Sequence, residues 1–296
     1  MGWNDKLFDN LDQIYWTPKM IGLSTVRAAL SPDGQHYLVP KELLSGGRSL
    51  YRRGSTGAVW KSGLSGSEEL LNQLLEVALA IAPGRFLEEA FFAPLGISPV
   101  GCIRTIGREV LARHARYSAN QFTQHDGFYI SENSTVMMEM KLGARTSVEQ
   151  YLKYVMLTAL EEMTHGPRPH AGLVYLAPQS AVAGVRKDLY LDDPEARAAI
   201  LSDPQAHTKK ARLRDLLGRY PEAFRSVARR MGVAITTWDA FYDLAVRYRD
   251  DARATGNETL ENLMQGIIAQ LEATPACGLG ASHTLFAKSE RTSDSA

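Results

Sequence analysis

The segment that most limits the fold lies between Gly127 and Pro178, where apolar runs of strand length surround one long helical pattern. "DGFYI" and "TVMMEMKL" are separated by the short polar loop "SENS", which predicts a hairpin. "TSVEQYLKYVMLTALEEM" follows with helical periodicity, and "AGLVYLAP" then reads as a buried strand. Upstream, "SGSEELLNQLLEVALAI" predicts a helix capped by Ser67, with Leu70, Leu71, Leu74, Leu75, Ala78 and Ile81 as its apolar stripe. "GRFLEEAFFAPLG" predicts a second helical piece, stopped by Pro94 and Gly96. "IGREVLARHARYSANQF" passes from helix into a further strand. The order helix, strand, strand, strand, helix, strand predicts an α/β fold with a mixed central sheet flanked by helices.

The rest of the chain sorts around that core. Residues 1–65 are turn-rich and read as an irregular N-terminal extension. The core runs over 66–182. Residues 183–280 read as a wholly helical C-terminal region, and 281–296 as a flexible tail. With 296 residues, 45% of them hydrophobic, the chain can bury a sizeable core.

A covered sheet raises a question about "TVMMEMKL". Strand side chains alternate faces. Val136, Met138, Met140 and Leu142 point one way; Thr135, Met137, Glu139 and Lys141 point the other. A carboxylate and an ammonium inside a covered sheet cost several kcal/mol unless they are paired or bound to a metal. Hairpin pairing brings the start of the first strand to the end of the second, so Asp126 falls near Glu139 and Lys141. Two carboxylates and a lysine suit a hard cation with oxygen ligands, Mg²⁺ above all. Such an ion activates water and polarises a phosphodiester, and the lysine can hold the attacking water or offset growing charge. On the helix that follows, Val148, Leu152, Val155, Met156, Ala159 and Met163 share one stripe. Gln150 and Tyr154 lie one turn apart, roughly opposite it.

The pattern Asp126, twelve residues, then Glu139-Met140-Lys141, with Gln150-x-x-x-Tyr154 on the next helix, resembles the PD-(D/E)XK nuclease superfamily and its RecB-like branch. The resemblance covers about residues 105–177. It implies a restriction-endonuclease-like core and Mg²⁺-dependent cleavage of nucleic acid, with Mn²⁺ able to substitute. It implies that Asp126, Glu139 and the Met140 backbone carbonyl ligate metal, that Lys141 acts on the water, and that Gln150 and Tyr154 contact substrate. It also implies an acidic residue on the first core helix. Glu88, Glu89 and Glu109 qualify by position, and Glu89 is preferred because its helix is apolar enough to pack on the sheet. The proline that the family places before the aspartate is His125 here. DNA is the expected substrate over RNA, in prokaryotic defence or DNA processing. A homodimer or a partner protein stays open.

Plainer readings stand beside this one. Glu139 and Lys141 could form a solvated cross-strand face, with the fold kept as a nucleic-acid-binding or assembly module without catalysis. Ser147-x-x-Gln150 is a capping box that would occupy Gln150, but Thr146-x-x-Glu149 is an equal one. His125 reads better as a satisfied strand residue than as a ligand. Residues 207–230 hold eight Lys/Arg against two acids, and Arg48, Arg52, Arg53 and Lys61 add a second basic stretch. Either is a phosphate-contacting face or a solvated one. Over the whole chain the charges balance, 33 against 33, which excludes a strongly basic polyanion binder. Cys102 and Cys277 make no disulfide framework and fit a reducing cytosol. Without an apolar span or a signal-peptide core, the expectation is a soluble, cytoplasmic protein with no membrane partner.

Overall fold

The computed structural model describes residues 68–106, 117, 125–142 and 146–280, and the backbone of two short strands. These strands, β1 (His36–Leu38) and β2 (Tyr51–Arg53), pair antiparallel. Arg48, Lys61, Glu109, the strand expected within 107–124 and the tail from 281 lie outside the described residues.

Helix α1 (Glu68–Ala80) buries Leu71, Leu75, Ala78 and Leu79; Ile81, expected on that stripe, is exposed because the helix has ended. After Pro83 comes the short α2 (Gly84–Leu87), which opens into a π-helical turn over Glu88–Phe92 and a 3₁₀ turn over Ala93–Leu95. Gly96, at φ +67°, stops it. There a Cβ would meet the following carbonyl, so the position favours glycine.

The sheet order is β3 (Arg104–Thr105), β4 (Gly127–Ile130), β5 (Ser134–Met140), β6 (His170–Ala177) and β7 (Met231–Thr237). β3, β4 and β5 are antiparallel neighbours, while β5, β6 and β7 run parallel. Between β5 and β6 runs α3 (Val148–His165), the crossover that parallel strands require. After β6 come α4 (Val182–Asp188), α5 (Pro194–Ser202), α6 (Ala211–Arg219) and α7 (Pro221–Ala228). β7 follows, and then α8 (Trp238–Thr255) and α9 (Glu258–Glu272). The mixed α/β sheet matches the expectation from sequence.

The reading of 183–280 as wholly helical is corrected by β7. "MGVAITT" is a half-buried edge strand between two strong helices, too short to show a clear alternation. Nor is the region an appendage. Met137, Leu173 and Tyr175 pack on one face of the sheet against α3, with Leu213, Leu216, Phe224 and Val227 of α6 and α7 behind it. Val136, Met138, Met140, Val174 and Leu176 pack on the other face against α1, α2, α8 and α9. The C-terminal helices therefore supply half of one layer and much of the other. Covering both faces explains why every residue of β5 is buried, charged ones included. No helix among the described residues is long and apolar enough to cross a membrane.

Glu149, on the first turn of α3, clasps the segment entering α6. Its carboxylate accepts from the Thr208 hydroxyl and the Lys209 N–H, each at 2.9 Å. Burial alone would raise its proton affinity, but those two hydrogen bonds outweigh it and hold the group below its ordinary 4.5. A depressed native carboxylate stabilises the fold fully above the unfolded value and loses that contribution as pH falls through the native one. Acid denaturation profiles of Glu149→Gln are therefore expected to lack a stability loss that the wild-type chain shows below about pH 4.5.

Candidate active site

The antiparallel register of β4 and β5 pairs Gly127 with Met138. One step further along, Asp126 stands beside Glu139, as the hairpin predicts. Asp126 is the residue before β4, and its carboxylate closes the end of the ladder. Oδ2 accepts the Met140 N–H at 2.7 Å, and Oδ1 accepts the Asn72 side-chain amide at 2.6 Å. Asp126 thus ties β5 to α1, two elements that are far apart in sequence.

Glu139 projects from β5 toward α3, and three side chains converge on it. Lys141 Nζ donates to Oε1 at 2.7 Å, the Gln150 amide donates to the same oxygen, and the Tyr154 hydroxyl donates to Oε2. Lys141 also reaches Gln150 Oε1 at 3.2 Å. Glu139 and Lys141 are each only 4% exposed, so they are no solvated cross-strand face. Burial, then the Glu139 and Asp126 carboxylates, push the Tyr154 phenol well above its ordinary value. It keeps its proton and donates throughout the physiological range. Both carboxylates act on this one phenol, which places them in a shared field.

Two further contacts fix the ammonium's strand. The Lys141 N–H donates to Leu176 O at 2.7 Å, extending the β5–β6 ladder by one residue. The Trp238 indole, fully buried at the start of α8, donates to Lys141 O at 3.0 Å.

Capping at α3 resolves between the two boxes. Ser147 is the N-cap, and its hydroxyl accepts from the Gln150 N–H at 3.2 Å. The Gln150 amide does not fold back; it reaches Glu139 and Lys141 instead. Half of the box forms, and the other half is given up to the site. Thr146 donates its hydroxyl to Tyr175 at 3.3 Å.

Tyr154 is wholly buried, and its hydroxyl is directed at Glu139 and not at open solvent. Gln150 is half-buried and remains at the edge of the cluster. His125 is buried, with Nε2 3.3 Å from Ile106 O and its ring edge-on to Phe128, the structural role expected for it.

Glu89 is a correction. Its carboxylate binds Arg247, Tyr248 and Arg85 on the outer side of the α2 segment. Burial would raise its proton affinity, but the Arg247 and Tyr248 hydrogen bonds outweigh that and lower it. The α2 segment opens into a π-turn, which rotates Glu89 toward α8. The helix acid beside Asp126 is Glu76 of α1. Glu76, Thr105, His125, Asp126 and Tyr129 border a recess of about 10 Å³, and among the described residues neither Lys nor Arg lines it. Burial first, then Glu76 and Asp126, push the Tyr129 phenol upward, so the two carboxylates share a neighbourhood. Asn72 and Glu76 are one helical turn apart and both flank the buried leucine stripe, a polar pair already visible in "LLNQLLEV".

Among the described residues, no three or more His, Cys, Asp or Glu side chains are grouped so that they could hold a metal ion. The donors are nonetheless of the hard oxygen type that Mg²⁺ takes, and among the described residues no cation lines the recess beside Glu76 and Asp126. Glu139 Oε1 has two donors, but Oε2 has two lone pairs and, among the described residues, accepts from Tyr154 alone. Met140, at the last position of β5 with its N–H held by Asp126, keeps its carbonyl at the same strand end. In chemical type the residues fit the ion. No protein-family model, curated protein or solved structure matches the chain, so the case for a function rests on this geometry.

Proposed function

We propose that the protein is a Mg²⁺-dependent nuclease with a restriction-endonuclease-like core, hydrolysing phosphodiester bonds of nucleic acid, DNA in preference to RNA. The observation that carries this reading is the convergence of Lys141, Gln150 and Tyr154 on Glu139, one register step from Asp126. Asp126, Glu139 and the Met140 carbonyl would hold the ion, with Glu76 as a further acidic group, and Mn²⁺ would substitute. When bound, the ion supplies Lewis acidity toward the phosphodiester and lowers the pKa of a water. Lys141, held at one end by Glu139 and along its backbone by Leu176 and Trp238, orients the attacking water and offsets charge developing on the phosphate. Tyr154 and Gln150 fix the Glu139 carboxylate so that it does not reorganise during the reaction. Exposed Lys209, Lys210, Arg212 and Arg229 near α6 and α7 supply a cationic surface for the phosphate backbone.

One observation favours the second reading, a binding or assembly module without catalysis. The Glu139–Lys141 pair is almost closed to solvent, and the adjoining recess is far smaller than a nucleotide.

One experiment separates the two. Plasmid, linear duplex, single-stranded DNA and RNA are incubated with the purified protein and Mg²⁺, Mn²⁺ or EDTA. Cleavage with either ion, none with EDTA and none in Glu139→Gln is the expected result. Cleavage that ignores EDTA or survives Glu139→Gln sinks the assignment. Salt-dependent binding without cleavage supports the module. In the same assay Glu76→Gln is expected to lower activity about 10–100-fold. Glu89→Gln is expected to leave activity near wild type and to cost at most about 1 kcal/mol of stability, since its ion pairs are partly exposed.

A further inference from the structure

A second cleft lies away from Glu139, between α5 and α7, with a volume of about 540 Å³. That is the size range of small-molecule sites. Leu191, Pro194 and Leu201 form apolar wall, and Arg197, Arg225 and Arg229 also line it; among the described residues no carboxylate does.

The three guanidinium groups differ in a way that suits a ligand. Arg197 is half-buried and fixed: Nη2 donates to the Tyr151 hydroxyl at 2.8 Å and to Met231 O at 3.3 Å, and the group lies 5.0 Å from the centre of the Tyr151 ring. Arg225 is paired with Glu222, but both are exposed, and exposed pairs of this kind are weak enough to be exchanged. Among the described residues the Arg229 side chain has no hydrogen-bond or ion-pair partner. One anchored and two available guanidinium groups make a fork for a phosphate, which arginine binds in bidentate fashion. An apolar wall beside it suits a body that is apolar or planar, and a guanidinium face stacks on such a ring.

We propose that this cleft is a second ligand site, taking a phosphomonoester carried on a planar organic body, of which a nucleoside 5′-monophosphate is the simplest case. The phosphate lies between Arg225 and Arg229 with Arg197 behind it, and the planar body lies against Leu191, Pro194 and Leu201. The same chemistry occurs in a free nucleotide and at the 5′-phosphorylated end of a nucleic-acid strand. The site does not depend on the nuclease reading.

The test uses the full-length protein in calorimetric titrations. The probes are adenosine 5′-monophosphate, adenosine, inorganic phosphate, and a short single-stranded oligonucleotide with and without a 5′-phosphate. The variants are Arg225→Ala, Arg229→Ala and Ala198→Trp, all exposed positions at the cleft that spare the Arg197 anchor. The expected result is that the monophosphate binds at least tenfold more tightly than adenosine or inorganic phosphate. Each arginine variant weakens it at least tenfold, and Ala198→Trp abolishes it. If only the phosphorylated oligonucleotide binds, with the same sensitivity to the variants, the site stands and its source is a strand end. The proposal is overturned if no phosphorylated probe binds, if adenosine or inorganic phosphate binds as tightly, or if binding is unchanged in the variants.

Discussion

Glu139→Ala is expected to destabilise the fold by about 3–5 kcal/mol, because it leaves the Lys141 ammonium in a nearly dry interior without its counter-charge. Lys141 is 4% exposed, and its remaining side-chain contact is a 3.2 Å hydrogen bond to a neutral amide oxygen. The Tyr154 hydroxyl loses its acceptor in the same substitution, a further penalty for a buried donor. Lys141→Met removes the cation but keeps most of the stem volume, and it leaves Glu139 with two neutral donors. It is expected to cost less than Glu139→Ala. The double variant should be more stable than the sum of the singles implies, with a coupling of about 1–3 kcal/mol, since the second change removes the charge that the first one stranded. Urea denaturation of the four proteins measures the cycle. Additive single effects would mean that the pair is not what holds the end of β5 against α3. The cycle also guards the activity assay. Glu139→Gln keeps an acceptor oxygen but also removes the counter-charge to Lys141, so its urea midpoint is measured beside the cleavage assay, and a loss of cleavage reports chemistry where the variant is folded under the assay conditions.

Trp238→Ala is expected to cost about 3–5 kcal/mol, the range for emptying a fully buried large aromatic site. Trp238→Phe separates volume from hydrogen bonding. A phenyl ring can keep most of the packing against Phe241, whose ring centre is 6.2 Å away. It cannot donate to Lys141 O, so a buried carbonyl is left without that donor, at about 1–3 kcal/mol. On the proposed chemistry Trp238→Phe also lowers kcat while KM changes little, because the indole reaches the site through its hydrogen bond to the backbone that aims Lys141. A variant that loses stability but keeps full kcat would show that the indole bond serves the fold and not the ammonium's placement.

Much of the site was legible because it is local. Asp126, Glu139 and Lys141 sit on or directly beside two strands joined by a three-residue loop, so alternation and hairpin pairing are enough to bring them together. Gln150 and Tyr154 follow on the next element, one turn apart. What was not legible came from distant parts of the chain. Nothing in "LLNQLLEV" says which sheet end its helix will meet, so Asn72 and Glu76 had no visible partner until α1 packed beside Asp126. Glu89 looked equally suitable, and only the π-turn after Leu87 turned it toward Arg247 and Tyr248. "MGVAITT" could not announce itself as an edge strand, because one buried and six half-buried residues between two helices carry little period of their own.

Sequence by itself therefore determined the α/β class, the hairpin, the crossover helix, and Glu139 with the four polar residues around it. Each of these follows from periodicity, turn chemistry and neighbours close along the chain. Tertiary structure decided the rest: which helices cover each sheet face, that β7 extends the sheet, and that Trp238 and Asn72 brace the strand ends. It also decided that Tyr154 meets Glu139 in a dry interior instead of facing outward. These depend on which surfaces meet across long stretches of chain, and burial of apolar area, being non-directional, leaves little local trace of that choice.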